Sequence, residues 1–149
     1  MEQNTRKQTE EALAEIYRNA QLALTSIADI SPEVENDDEL KRELHEQHEE
    51  YEKFSARAAM IARDLGIELK EPNPMKKVMM WGSIKMSTMT DNSRAHIADM
   101  MVQGTVMGIT ALRKTAGELS ENGDERIPAL LQEMIQAEET FEKKWKEYL

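Results

Sequence analysis

Apolar residues recur along most of this chain at steps of three and four, the spacing that places them on one face of an α-helix. The clearest run lies near the end. Ile127, Leu131, Met134, Phe141, Trp145 and Tyr148 form one stripe, and the slot the repeat leaves open is filled by Glu138. A carboxylate therefore falls mid-helix where a core residue is expected. An unpaired buried charge costs several kcal/mol, so Glu138 needs partners, a proton or a metal. Two earlier runs read the same way. Leu13, Ile16, Ala20, Leu24 and Ile27, with Tyr17 beside them, predict a helix over 5–30 that Ser31-Pro32 ends. Leu40, Leu44, Gln47, Tyr51, Phe54, Ala58, Ile61 and Leu65 predict a second over 37–65, with two polar members, Gln47 and Tyr51, near its middle. Asn36, followed by Glu39, is the expected cap of this helix, and Gly66 the expected C-terminal stop.

The next stretch is broken by Pro72, Asn73 and Pro74, and a short helix over 74–89 is expected after them. Asp91-Asn92-Ser93 offers caps for a helix over 93–121, and Asp124 begins the turn into the last helix, over 125–148. Short turns make the first two long helices antiparallel, and the last two likewise. The long connection between the pairs can travel the length of the bundle and return the third helix parallel to the second. Two antiparallel pairs with one long crossover is the ferritin-like connectivity. The fold expected is all-α: a ferritin-like four-helix bundle with a long crossover containing a short fifth helix, as one domain over 1–149.

Composition narrows the function classes. Charged residues make up 32% of the chain and aromatics 5%, as suits long amphipathic helices. The net charge of −10 argues against nucleic acid and against anionic membranes. There is no cysteine, which excludes disulfides, thiolate metal sites and a cysteine nucleophile. No apolar run is long enough to span a membrane and no apolar signal core stands at the start, so the cytoplasm is the expected location.

Candidate chemistry is sparse. Glu138, Gln47 and Tyr51 share a layer if the helices are in register, either as a polar trio that fixes register or as a site. On the third helix, His96, Asp99 and Gln103 are spaced to converge on one face, which either faces solvent or binds a divalent metal. His45 and His48 lie among glutamates on a solvated acidic face. Eight of the eleven methionines fall between Met75 and Met107, either filling the core beneath the crossover or offering a soft partner surface or a thioether copper(I) site. Met79, Met80 and Trp81 are the most apolar point of that segment. Ile97, Met101, Gly104, Gly108, Ala111 and Leu112 make one face of the third helix, and Val102, Val106 and Ile109 extend apolar character to its far side. That excess predicts a homodimer, or a crossover helix laid over it. No phosphate loop, Gly-x-Ser-x-Gly or His-Glu-x-x-His motif occurs, and no residue is singled out as catalytic.

Glu15-Ile16-Tyr17-Arg18-Asn19-Ala20, Asn73-Pro74-Met75, and above all the run from His96 to Gly104 with Met107-Gly108, resemble the ferritin-like superfamily, in a branch distant from rubrerythrin. The resemblance covers about residues 12–149. It implies a four-helix bundle with the long crossover, and often a dimer. Di-iron members place a Glu on two helices and a Glu-x-x-His on the other two. This chain has no Glu-x-x-His, and neither Glu15 nor Asn19 is squarely inward. A di-iron centre is therefore not expected. The leading reading is a non-enzymatic binding or structural, stress-related protein. One alternative is an oxidoreductase-like protein with a single divalent ion, iron or zinc, drawn from His96, Asp99, Gln103, Glu138 and Glu50. Another is an adaptor that binds a partner through Met79, Met80 and Trp81.

Overall fold

A computed structural model describes residues 3–71 and 92–149, and these form four long helices with no strand among them. They are α1 (Gln3–Ile30), α2 (Asp38–Asp64), α3 (Arg94–Glu118) and α4 (Arg126–Lys146), with a 3-10 turn over Ser31–Val34. Local chemistry sets their ends. Pro32 opens the 3-10 turn, and Ser31 Oγ donates to the Ile27 carbonyl at 2.7 Å, satisfying one of the carbonyls α1 leaves free. The cap of α2 is Asp37 rather than Asn36, because Asp37 has the extended backbone a cap requires and its carboxylate accepts from the Leu40 amide. Ser93 caps α3 in the same way, accepting from the His96 amide. At the end of α2 the chain turns through Gly66 at φ +67°, the left-handed conformation that glycine adopts without strain. The Ile67 amide then reaches the Ala62 carbonyl at 2.8 Å and the Gly66 amide reaches Arg63, a Schellman stop.

Side-chain contacts give the helix directions. Arg94 at the start of α3 grips Asp37 at the start of α2 with two hydrogen bonds, of 2.8 and 2.7 Å. Arg126 at the start of α4 pairs with Asp64 at the end of α2. Gln8 near the start of α1 accepts from the Ser120 amide just past the end of α3. Thus α1 and α2 form one antiparallel hairpin, α3 and α4 form another, and α2 runs parallel to α3. The expected helix over 74–89, and with it Met79, Met80 and Trp81, lies outside the described residues.

The stripes meet in one apolar core, with Trp145, Leu13, Ile16, Leu44, Ile97, Leu131 and Met134 fully buried. Three helices differ from the expected pattern. In α1, Leu22 is buried and Leu24 only partly so, a rotation of the inner face that also buries Asn19. In α2, Glu43 is buried rather than part of the acidic surface. In α3, Ile109 is buried, Val102 half-buried and Val106 exposed, because α3 packs along both α4 and α1 and uses apolar residues on two sides. Among the described residues no helix is long and apolar enough to cross a membrane.

Candidate functional site

Among the buried polar side chains, Asn19 of α1, Tyr51 of α2 and Glu138 of α4 meet around Gly108 of α3. Glu138 on α4 is 1% exposed. The Tyr51 hydroxyl on α2 donates to its Oε2 at 2.7 Å, while its Oε1 has no hydrogen-bond partner among the described residues. The carboxyl group fits there because α3 presents Gly108. A Cβ at that position would lie 2.9 and 3.0 Å from the two carboxyl oxygens, too close for any side chain to stay without displacement. Asn19 of α1 closes the other side, donating through Nδ2 to the Gly108 carbonyl at 3.1 Å. That carbonyl also accepts within α3, so its second lone pair is what recruits α1.

Burial pushes the Glu138 carboxyl up to about 8; the Tyr51 hydrogen bond pulls the other way, and the negative charge of Glu15 adds to the rise. Glu138 is therefore largely protonated at neutral pH. Burial, and then the charge and hydrogen bond of Glu138, hold the Tyr51 hydroxyl well above its usual range, so it stays a donor.

Gln47, one turn before Tyr51, does not bond to Glu138. Its Oε1 accepts from Trp145 Nε1 at 3.0 Å and its Nε2 donates to Glu43 Oε1 at 2.8 Å. Lys144 lies 3.9 Å from the other Glu43 oxygen. The expected layer is thus two adjacent groups. Trp145, Gln47 and Glu43 form a satisfied chain with an ionic end, while Tyr51 and Glu138 form a pair with one oxygen to spare.

Glu138, with Tyr51 and Gln47, lines a cavity of about 210 Å³ between α1 and α3. Leu22, Ala23, Met100, Met101 and Gly104 supply apolar walls, and the lining runs from buried Glu138 to Met107, which is 57% exposed. Ser26 also lines it, with a buried hydroxyl that has no hydrogen-bond partner among the described residues. Glu15 and Arg18 complete the polar lining and are bonded to each other, at 3.1 Å from the guanidinium Nε.

The other proposed ligands are not brought to this point. Asp99 and Gln103 are exposed and bonded to each other at 2.9 Å, so that strip of α3 faces outward with Thr110 and Lys114. Glu50 pairs with Lys53 at the surface, and His96 is half-buried near the start of α3. Neither Asp99, Gln103, Glu50 nor His96 lines the cavity. Among the described residues no group of three His, Asp or Glu side chains is placed to hold a metal. His45 and His48 form one-turn pairs with Glu49 and Glu52 on the outside of α2. No protein-family model matches the chain, and neither does a curated protein or a solved structure.

Proposed function

We propose that this chain is a ferritin-like bundle whose interior is a small-molecule binding site rather than a di-iron oxidase centre. The unpaired oxygen of Glu138, a residue that lines the apolar cavity, carries the reading: a buried polar atom without a partner costs about 1–3 kcal/mol, which a ligand bonded to it relieves. The connectivity supports the ferritin-like part, with two antiparallel hairpins and α2 parallel to α3. The donor set argues against two irons, since the cavity holds Glu138 and an arginine-paired Glu15 and no histidine. We propose further that the chain pairs through α3, where Val106 is 39% exposed beside Met107.

A titration with small aromatic fragments, followed by amide NMR, tests the binding site. Resonances of Asn19, Gly108 and Ser26 are expected to shift, and Ala111→Leu, which narrows the cavity, to remove the response. Fragments that shift only residues elsewhere refute the site. Elemental analysis after anaerobic ferrous loading tests the other half, and two irons per chain refute it.

A further inference from the structure

The cavity has a chemical bias that narrows what enters it. Its deep end is a carboxyl group with one oxygen already served by Tyr51 and the other bare. Glu15 adds a second carboxylate to the lining, and the one cation among the described lining residues, Arg18, is committed to Glu15. Among the described residues the titratable or charged groups facing Glu138 are Tyr51 from α2 and Glu15 and Arg18 from α1, while α3 contributes only uncharged lining. With Glu138 ionised the site carries one negative charge more than it can neutralise. An anionic ligand would meet that charge in a low-dielectric setting, and a neutral one, met by the protonated acid, would gain no ion pair from it. A cation balances it. The net charge of −10 also favours the approach of cations over anions.

Size sets a second limit. An engineered apolar cavity of about 150 Å³ accommodates benzene, with its six carbons, so a cavity of about 210 Å³ accommodates about eight non-hydrogen atoms. The methionine and leucine walls suit an apolar body, and methionine adapts to its shape. We infer that the site takes a small primary amine with an apolar body of about eight non-hydrogen atoms in all, its ammonium group on Glu138 Oε1 and its body against Leu22, Met100 and Met101. The inference rests on the binding-site reading above and adds the ligand class to it. An ammonium donor matches what the deep end lacks, since Glu138 Oε1 can accept. Binding converts a largely protonated Glu138 into a carboxylate in an ion pair, so the proton leaves to solvent.

Benzylamine and benzyl alcohol, of equal size and differing in the head group, are the probes. Isothermal titration of the full chain at pH 7, in two buffers of different ionisation enthalpy, measures affinity and protons together. Benzylamine is expected to bind at least tenfold more tightly than benzyl alcohol and to release close to one proton. Glu138→Gln is expected to bring the two probes to within about twofold and to abolish the proton release. Benzyl alcohol binding wild type as tightly as benzylamine overturns the amine and leaves the cavity as a neutral-ligand site. Equal benzylamine affinity in wild type and Glu138→Gln also overturns it, because the head then lies on another acid. If neither probe shifts Asn19 or Gly108 at millimolar concentration, the amine and the binding site both fall.

Discussion

Glu138 makes the stability of this protein depend on pH in the opposite sense to that of most carboxylates. Its folded-state value of about 8 lies above the ordinary 4.5. Between those limits the unfolded chain has released the proton and the folded chain still holds it, so the unfolded state binds fewer protons and stability falls as pH rises. The contribution is complete below about pH 4.5 and gone above about pH 8. A gap of about 3.5 pH units at 1.36 kcal/mol each corresponds to about 5 kcal/mol, of which about 4 falls between pH 5 and pH 9. Against a typical total of about 5–15 kcal/mol this is a large share. The measurement is urea unfolding followed by circular dichroism across that range, on wild type and on Glu138→Gln. The amide keeps the shape and can still accept from Tyr51, but it does not titrate. The stability difference between the two proteins is expected to change by about 4 kcal/mol from pH 5 to pH 9, with wild type losing ground. Asp37 and Asp124, whose carboxyls Arg94 and Arg126 hold below their usual range, act the other way, losing stabilisation as pH falls below that window. A difference that moves by less than about 1 kcal/mol would show that Glu138 is solvated or otherwise compensated, and the account of the site would fail with it.

Replacing the Tyr51–Glu138 pair by Phe and Leu removes a buried polar pair whose partners are each other, and is expected to be neutral or stabilising by about 1–4 kcal/mol in chemical unfolding. Gln47→Leu should instead cost about 1–3 kcal/mol, since it strands Trp145 Nε1 and Glu43; a stabilised Gln47→Leu would contradict the two-group arrangement. Gly108→Ala is expected to destabilise wild type by about 1–3 kcal/mol through its clash with the Glu138 oxygens, yet to stabilise a Glu138→Ala background by up to about 1 kcal/mol through helix propensity. Additive effects would mean that the two residues do not meet. Light scattering is expected to give twice the 17.1 kDa chain mass, and Val106→Glu with Met107→Glu to halve it; a wild-type monomer refutes pairing through α3.

How much of this was legible in advance depended on whether a signal was local or pairwise. The four long helices followed from period and capping, to within three residues at most ends, because amphipathic stripes and Ser or Asp caps are written in neighbouring residues. Glu138 was visible as the odd member of an apolar stripe, and its burial follows from that position. Its partner oxygen count was not, because that depends on where three other helices place their side chains. Gln47 appeared equally eligible for the layer, but Trp145 and Glu43 claim it. Asn19 was read as not squarely inward, although it stands three residues after Ile16 and beside Ala20, a spacing that puts it near the inner face, and it is buried. The strip of α3 stood open between solvent and a metal, because convergence on one helix face says nothing about which way that face points; Asp99 and Gln103 point outward. The C-terminal end of α3 fell three residues short of 121, where no glycine cap forces a stop.

The bonds that cross between the two hairpins have a consequence for assembly. Tyr51 to Glu138, Trp145 to Gln47, Asn19 to Gly108, and Arg94 to Asp37 all join one hairpin to the other. Each hairpin is closed by a short turn of its own, whereas 29 residues, 65–93, separate α2 from α3 in the chain. Such a pair of units is suited to exchange: the second hairpin of one copy can dock on the first hairpin of another through the same bonds. An exchanged dimer would differ from the one paired through α3 in surviving the charge substitutions at Val106 and Met107, and its interconversion with monomer would require the whole core to part.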